Sequence, residues 1–328
     1  MTTIVSSWKT ELVHEIYSNS YKGHISFVDN FVDSIPGPNR DAKIKRVKRF
    51  VERELSKKKN IVLEEKETIA ENKNIFEATN VDLNCKPNSV IKFGLISDTH
   101  FNSKYVQLTH LNKFYDICKE QGITNVYHAG DIDDGENMRP GHVYENYNQG
   151  ADEHLQEIIT KYPYREGITT HFITGNHDSS FRKHCGLDIG KLIESKRQDM
   201  KYLGRDIAVV NITDKVSMML KHPWDTTAYA LSYKPQKIIE ALCNTSMKPS
   251  ILAIGHYHKI EYLYYLGVHC LQTGCFQSST PFTIGKGIRV MIGGWIITVT
   301  LDDKGNIQTF TPQAVTFDNE IKDDYKNF

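Results

Sequence analysis

Residues 90–100 read Val-Ile-Lys-Phe-Gly-Leu-Ile-Ser-Asp-Thr-His: an apolar run suited to a strand buried on both faces, Val90 to Ser97, that ends in Asp98 and His100. The same event recurs four times downstream. Thr124 to His128 is followed by Ala129-Gly130-Asp131, and Thr170 to Thr174 by Gly175-Asn176-His177-Asp178. Val216 to Leu220 is followed by Lys221 and His222, and Ile251 to Ile254 by Gly255-His256-Tyr257-His258. Helical spacing over Tyr105 to Glu120, stopped by Gly122, and near Gln236 to Cys243 separates these runs. Further strands are expected at Ile207 to Ile212, Ile260 to Leu266, Val268 to Leu271, Val290 to Leu301 and Ile307 to Phe310. The chain is therefore α/β with extra strands in its second half. Five strands deliver Asp, Asn or His from their carboxyl ends, the edge at which open α/β sheets place their sites.

The remainder of the 328 residues bounds the reading. Forty Lys and Arg against forty Asp and Glu give no net charge, which excludes binding through a global positive field, and 39% apolar residues exclude wholesale disorder. Val290 to Leu301 is interrupted by a Gly pair and is too short to span a bilayer, so no membrane role is expected. Lys9, Glu11 and Glu15 break up the N-terminus as a signal peptide. The six cysteines contain no CxxC pair, which excludes a zinc ribbon and a dithiol redox motif and points to a reducing, cytoplasmic setting.

The first 88 residues differ in character. Residues 8–17 and 24–33 have helix-compatible spacing, and Pro36-Gly37-Pro38 breaks the chain after them. A helix over 41–57 is clearer: Ile44, Val47, Val51 and Leu55 share one face and basic side chains fill the other. Arg40 to Lys59 holds ten basic residues against three acidic. Such a face is commonly just solvated; nucleic acid is the partner it would suit. A charged connector over 57–88 closes at Lys86-Pro87-Asn88. The expected organisation is a basic helical region and linker over 1–88, a main domain over 89–315, and a frayed polar tail over 316–328.

Taken singly, each strand-end residue has a plain structural reading, Asp98 as a turn former and an isolated histidine such as His128, His171 or His269 as a satisfied core group. Taken together, Asp98, His100, Asp131, Asn176, His222, His256 and His258 need a shared reason, and metal ions supply the positive charge that such a cluster lacks. Imidazole with carboxylate and no thiolate suits Mn, Fe, Zn or Co, with Mn preferred, over an all-oxygen Mg or Ca cage. Seven donors exceed what one ion with an open position uses, so two divalent ions sharing a carboxylate are expected. A pair of that kind serves in-line phosphoryl displacement.

In this order, the DxH, GD, GNHD, lone His and GHxH motifs resemble the calcineurin-like metallophosphoesterase superfamily over about Val90 to Phe310. The resemblance implies a four-layer α/β/β/α sandwich. It implies one metal on Asp98, His100, Asp131 and His258 and another on Asp131, Asn176, His222 and His256, with Asp131 bridging and a hydroxide between the ions as nucleophile. His177 would contact the scissile phosphate and protonate the leaving oxygen, and Asp134 occupies the place of an aspartate that pairs with this histidine and would hold it charged. Protein serine/threonine phosphatases carry GDxVDRG and GNHE, whereas here Gly135 stands at the arginine position and the second motif is GNHD. That favours the phosphodiesterase and nuclease branches, with Arg139 or Arg182 as substitute anion clamps. The expected activity is hydrolysis of phosphodiesters, nucleic acid first. Cyclic nucleotides or other small phosphoesters are an alternative, and a non-catalytic nucleic-acid-binding or scaffold protein on the same fold is a second.

Overall fold

The buried run from Val90 becomes strand β2 (Val90–Ile96), and its alternation decides where everything else goes. Phe93 and Leu95 point to one face of the sheet and Ile96 to the other, each almost fully buried. The structure, a computed structural model, describes residues 40–45, 47, 49–50, 79–318 and 320–326. The chain divides into two units, Met1–Glu77 and Ala78–Phe328.

In the second unit two six-stranded sheets face each other. The first is ordered β12-β11-β2-β3-β4-β5, with β2 (Val90–Ile96), β3 (Asn125–Ala129), β4 (Thr169–Thr174) and β5 (Met200–Arg205) parallel; β11 (Gly293–Leu301) runs antiparallel to β2, and β12 (Ile307–Thr316) to β11. The second is ordered β1-β6-β7-β8-β10-β9, built from β1 (Thr79–Asp82), β6 (Ile207–Asn211), β7 (Ser217–Lys221), β8 (Ile251–Ile254), β9 (Ile260–Tyr265) and β10 (Val268–Thr273). One apolar core lies between the sheets, where Phe93, Leu95, Tyr127 and Ile173 meet Ala208, Val210, Met218, Leu220, Ile251 and Ala253. A second core lies on the outer face of the first sheet, where Ile96, Val126 and Phe172 meet Leu111 and Phe114 of helix α1 (Leu108–Glu120), Ile158 of α2 (Ala151–Lys161), and Ile189 and Ile193 of α4 (Ile189–Lys196). The short α3 (Ser179–Cys185) precedes α4. Helix α5 (Tyr233–Cys243) packs over β9 and β10 on the outer face of the second sheet, and α6 (Pro281–Gly285) follows β10. The four-layer α/β/β/α order expected from the sequence is present. Each buried Leu, Ile or Phe contributes roughly 1.5–3 kcal/mol, so the two cores fix the relation of the sheets.

Three expectations are corrected. The second unit begins at Ala78, not after Asn88, because Thr79–Asp82 pairs in parallel with β6 and makes the last connector residues a sheet edge. Strand β12 carries the sheet to Thr316, past the expected domain end. The polar tail is tied down: Asp324, 2% exposed, accepts hydrogen bonds from the Thr109 backbone N–H (2.7 Å) and hydroxyl (2.6 Å), capping α1 where Gln107 supplies no side-chain cap. Gln107 instead exchanges two hydrogen bonds with the Lys322 backbone. In the first unit, residues 40–45, 47, 49 and 50 are helical with Val47 buried. The segments expected at 8–17 and 24–33, the helix beyond residue 50 and the connector up to residue 78 lie outside the described residues.

Because Asp324 caps α1 from a distance, Asp324→Ala is expected to cost about 1 kcal/mol and to lower the melting temperature by about 2–4 °C. An unchanged midpoint in thermal denaturation would show that the tail does not hold the helix.

Candidate metal centre

The carboxyl ends of β2, β3 and β4 in one sheet and of β7 and β8 in the other open at the same edge, and hydrogen bonds join them across the two sheets, among them His222 Nδ1 donating to the Ala129 carbonyl at 2.8 Å and His256 N–H donating to Asp98 Oδ2 at 2.8 Å. Backbone bonds then fix the loops. Asp98 N–H donates to the Gly130 carbonyl at 2.9 Å, His222 N–H to the Asp206 carbonyl at 2.7 Å, and Gly255 N–H to the Lys221 carbonyl at 3.1 Å. Asp178, the last residue of the GNHD motif, accepts from Gly175 N–H (2.8 Å), Ile132 N–H (3.2 Å) and Asp133 N–H (2.9 Å), knitting the third loop to the second.

These loops bring the expected residues together. Donor atoms of Asp98, His100 and His258 lie within 4.8 Å of one another, as do those of Asp131, His222 and His256. Asn176 Oδ1 stands 3.0 Å from His222 Nε2, and Asp131 Oδ2 stands 3.1 Å from the same nitrogen. Five of these residues, Asp98, His100, Asp131, His256 and His258, have φ between 48° and 76°. A left-handed conformation in a non-glycine residue costs about 1–3 kcal/mol, and such strain gathers where side chains must converge.

Asp98 and Asp131 are buried to 0% and 1% exposure, and their ion pairs among the described residues are with imidazoles. Burial alone would raise the Asp98 carboxyl, but His258 beside it reverses the shift and holds it at about 2. Burial disfavours a charged His222, and Asp131 overrides it, raising that imidazole to about 9. Asp131 and Asp98 thus draw protons onto His222 and His258 to neutralise their own charge, which is the charge demand that cations answer. The outer nitrogens fit the same role. His100 Nδ1 lies 2.9 Å from Asp134 Oδ1, and His256 Nε2 donates to the Asp225 carbonyl at 2.6 Å; with His222 on Ala129, three imidazoles are turned by an oxygen on the far side, the arrangement that orients metal-binding histidines.

Residues 91–284, more than half the chain, match the family model of the calcineurin-like phosphoesterase superfamily domain. The chain belongs to that superfamily. Solved structures similar to this phosphoesterase include an archaeal phosphodiesterase, 15% identical, covering 69% of this chain and 100% of its own with a TM-score of 0.39. Vps29 from Entamoeba histolytica complexed with zinc is 16% identical, covers 69% of this chain and 99% of its own, and has a TM-score of 0.35. A putative 5′-nucleotidase from Staphylococcus aureus in complex with alpha-ketoglutarate is 10% identical, covering 73% of this chain and 57% of its own with a TM-score of 0.39. None of the curated proteins compared with the chain matches it.

The phosphoesterase site departs from expectation at Asp134. Its carboxylate does not hydrogen-bond His177, whose Nδ1 donates to the Asp134 backbone carbonyl at 2.5 Å and is 3.8 Å from the carboxylate. The carboxylate instead meets His100, Gln277 Nε2 (3.0 Å) and His142 Nε2 (3.1 Å). His177 is not held charged either: burial pushes its imidazole down to about 4, against the pull of Asp131 and Asp134. Gly135 has φ +67°, and a Cβ there would strike the His177 carbonyl and come within 2.7 Å of Ser180 Oγ, so the backbone cannot take the arginine of the protein phosphatases. Neither proposed arginine joins the donor clusters. Arg139 pairs with Glu145 at 2.5 Å and lies over the Phe282 ring, while Arg182 is half-exposed and faces Asp188 at 3.6 Å. His128 is a core group as read, fully buried beside Thr99 Oγ1 at 3.1 Å.

Sequence reasoning passed over His142, Gln277, Asp225 and the structural duty of Asp178. None but Asp178 sits in a motif, and His142 offered only its residue type. It also left His222 the most weakly specified donor, whereas the structure surrounds this ring with motif glycines. A Cβ on Gly130 would approach His222 Nδ1 to 2.5 Å, one on Gly175 would approach its ring to 2.7 Å and strike Asp131, and one on Gly255 would approach Nδ1 to 2.9 Å.

Gly175→Ala is therefore expected to displace His222 and Asp131 and to weaken divalent-metal binding, read with Mn²⁺ as the probe, by about 10- to 100-fold, the loss typical when a ligand's orientation is disturbed. Calorimetric titration of the folded variant measures this; wild-type affinity would show that the packing of His222 does not serve the centre.

Proposed function

We propose that the chain is a two-metal phosphodiesterase acting on nucleic acid. The observation that carries this reading is the convergence of two donor groups, Asp98, His100 and His258 beside Asp131, Asn176, His222 and His256, on one edge shared by both sheets. Two divalent ions, Mn²⁺ first among Mn, Fe, Zn and Co, fit donors that are all nitrogen and oxygen. Bound there, they would supply an acidified water as nucleophile and charge to balance the phosphoryl oxygens.

The chain's own residues do the rest. Asp131 has one oxygen on His222 and the other accepting the His177 N–H at 2.9 Å, so it would tie the metal side of the site to the leaving-group side. His177 is 17% exposed at its side chain where His100 is 2%, which leaves it open to a substrate. Its Nδ1–H is committed to the Asp134 carbonyl, so Nε2 faces the substrate as an acceptor that would take up a proton beside the anionic phosphate and pass it to the departing oxygen. Asp134 sets the His100 ring with its carboxylate and the His177 ring with its carbonyl, a positioning role in place of the expected dyad. The absence of an arginine at 135 supports a diester over a phosphoprotein, since the clamp for a dianionic phosphate is missing. The ten basic residues between Arg40 and Lys59 support nucleic acid as the polymer. Six free cysteines support a reducing, cytoplasmic setting, and no described helix is long and apolar enough to cross a membrane.

With Mn²⁺ the protein is expected to hydrolyse bis(p-nitrophenyl) phosphate faster than p-nitrophenyl phosphate, and EDTA or Asp131→Ala to abolish both activities. Faster monoester turnover would overturn the diester assignment. Separately, His177→Ala should retain its metal while turnover falls by about 10²- to 10⁴-fold; metal lost from that variant would place His177 among the ligands instead.

A further inference from the structure

The two loops that furnish Asn176 and His222 are joined at the surface by a pair that the chemistry above does not use. Trp224 stands two residues beyond His222, and Lys183 lies on α3, directly after the GNHD loop; the Lys183 ammonium sits 4.6 Å from the centroid of the indole ring. Trp224 is 44% exposed, yet its indole N–H is committed, donating to Asp206 Oδ1 at 2.8 Å. Asp206 also accepts the His222 backbone N–H through its carbonyl, and Asp225, the residue after Trp224, accepts from His256 Nε2 through its own. The ring is thus tied to the second donor group through Asp206, and the residue after it through His256. What it shows to solvent is apolar, since its polar handle is satisfied.

A fixed aromatic ring beside a cation on a long flexible type of side chain is what single-stranded nucleic acid binds, the ring by stacking on a base and the cation, once displaced from the ring, by attraction to the adjoining phosphate. We propose that Trp224 and Lys183 form a nucleoside subsite flanking the scissile phosphate, with the base stacked on the indole and the Lys183 ammonium on the neighbouring phosphate oxygen. This rests on the phosphodiesterase reading and gives it a specificity: diesters bearing a nucleobase over those without one.

Two substrates separate the subsite from the chemistry. Thymidine 5′-(p-nitrophenyl phosphate) and methyl p-nitrophenyl phosphate share the diester and the leaving group and differ in the nucleoside. With the Mn²⁺-loaded protein, Trp224→Ala should lower kcat/KM for the thymidine ester by about 10-fold or more while the methyl ester stays within about twofold, and Trp224→Phe should restore most of the loss. Binding is read independently by fluorescence in a Trp8→Phe background, where Trp224 is the exposed indole and Trp295 is buried. Thymidine 5′-monophosphate should quench that emission, and the quenching should vanish when Trp224→Phe is added. Equal losses on both esters would overturn the subsite and assign Trp224 to holding the His222 turn, as would unchanged rates without quenching. If the wild-type protein cleaves neither ester but the nucleotide still quenches Trp224, the diesterase reading fails and the subsite stands.

Discussion

Two carboxylates out of contact with water, Asp98 and Asp131, set the terms for this molecule. Burying an ionised carboxylate is among the most expensive things a fold can do unless a counter-charge is brought to it. Here the counter-charge comes from histidines on the three loops after β2, β7 and β8, and the fold is the device that delivers them. Parallel strands end at one edge, the second sheet stacks its own strand ends against the first, and the His222–Ala129 hydrogen bond closes the seam. The left-handed backbone at five donors and the glycines packed on His222 are the local cost of that convergence.

The arrangement is layered outward from the donors. Asp134, Asp225 and the Ala129 carbonyl turn three imidazoles, Asp178 staples two of the loops, and His142 with Gln277 holds the Asp134 carboxylate from behind. A single aspartate therefore contacts both His100 and His177, through different atoms. The His177 ring is oriented by a carbonyl and not by a carboxylate, and Gly135, where the protein phosphatases carry arginine, occupies a backbone conformation closed to a side chain.

Much of this was legible in the sequence because chain neighbours carry it. The β2, β7 and β8 runs and the DxH, GD, GNHD and GHxH motifs are local signals, and they picked out the seven residues whose side chains converge at the strand ends. What was not legible depends on residues distant in the chain. Thr79–Asp82 is four residues of polar character that become a strand only because β6 offers a parallel edge, and Asp324 looks like a frayed tail residue until the uncapped start of α1 is beside it. Likewise the Asp134–His177 pairing was placed correctly in sequence but on the wrong atom, since three imidazoles compete for one carboxylate and only the folded loop decides which of them reaches it.

Diffraction from crystals grown with manganese, recorded at the manganese absorption edge, tests the account most directly. Two anomalous peaks are expected, one among Asp98, His100 and His258 and one among Asn176, His222 and His256, with Asp131 contacting both. A cleft without peaks, or manganese bound only elsewhere on the surface, would contradict it.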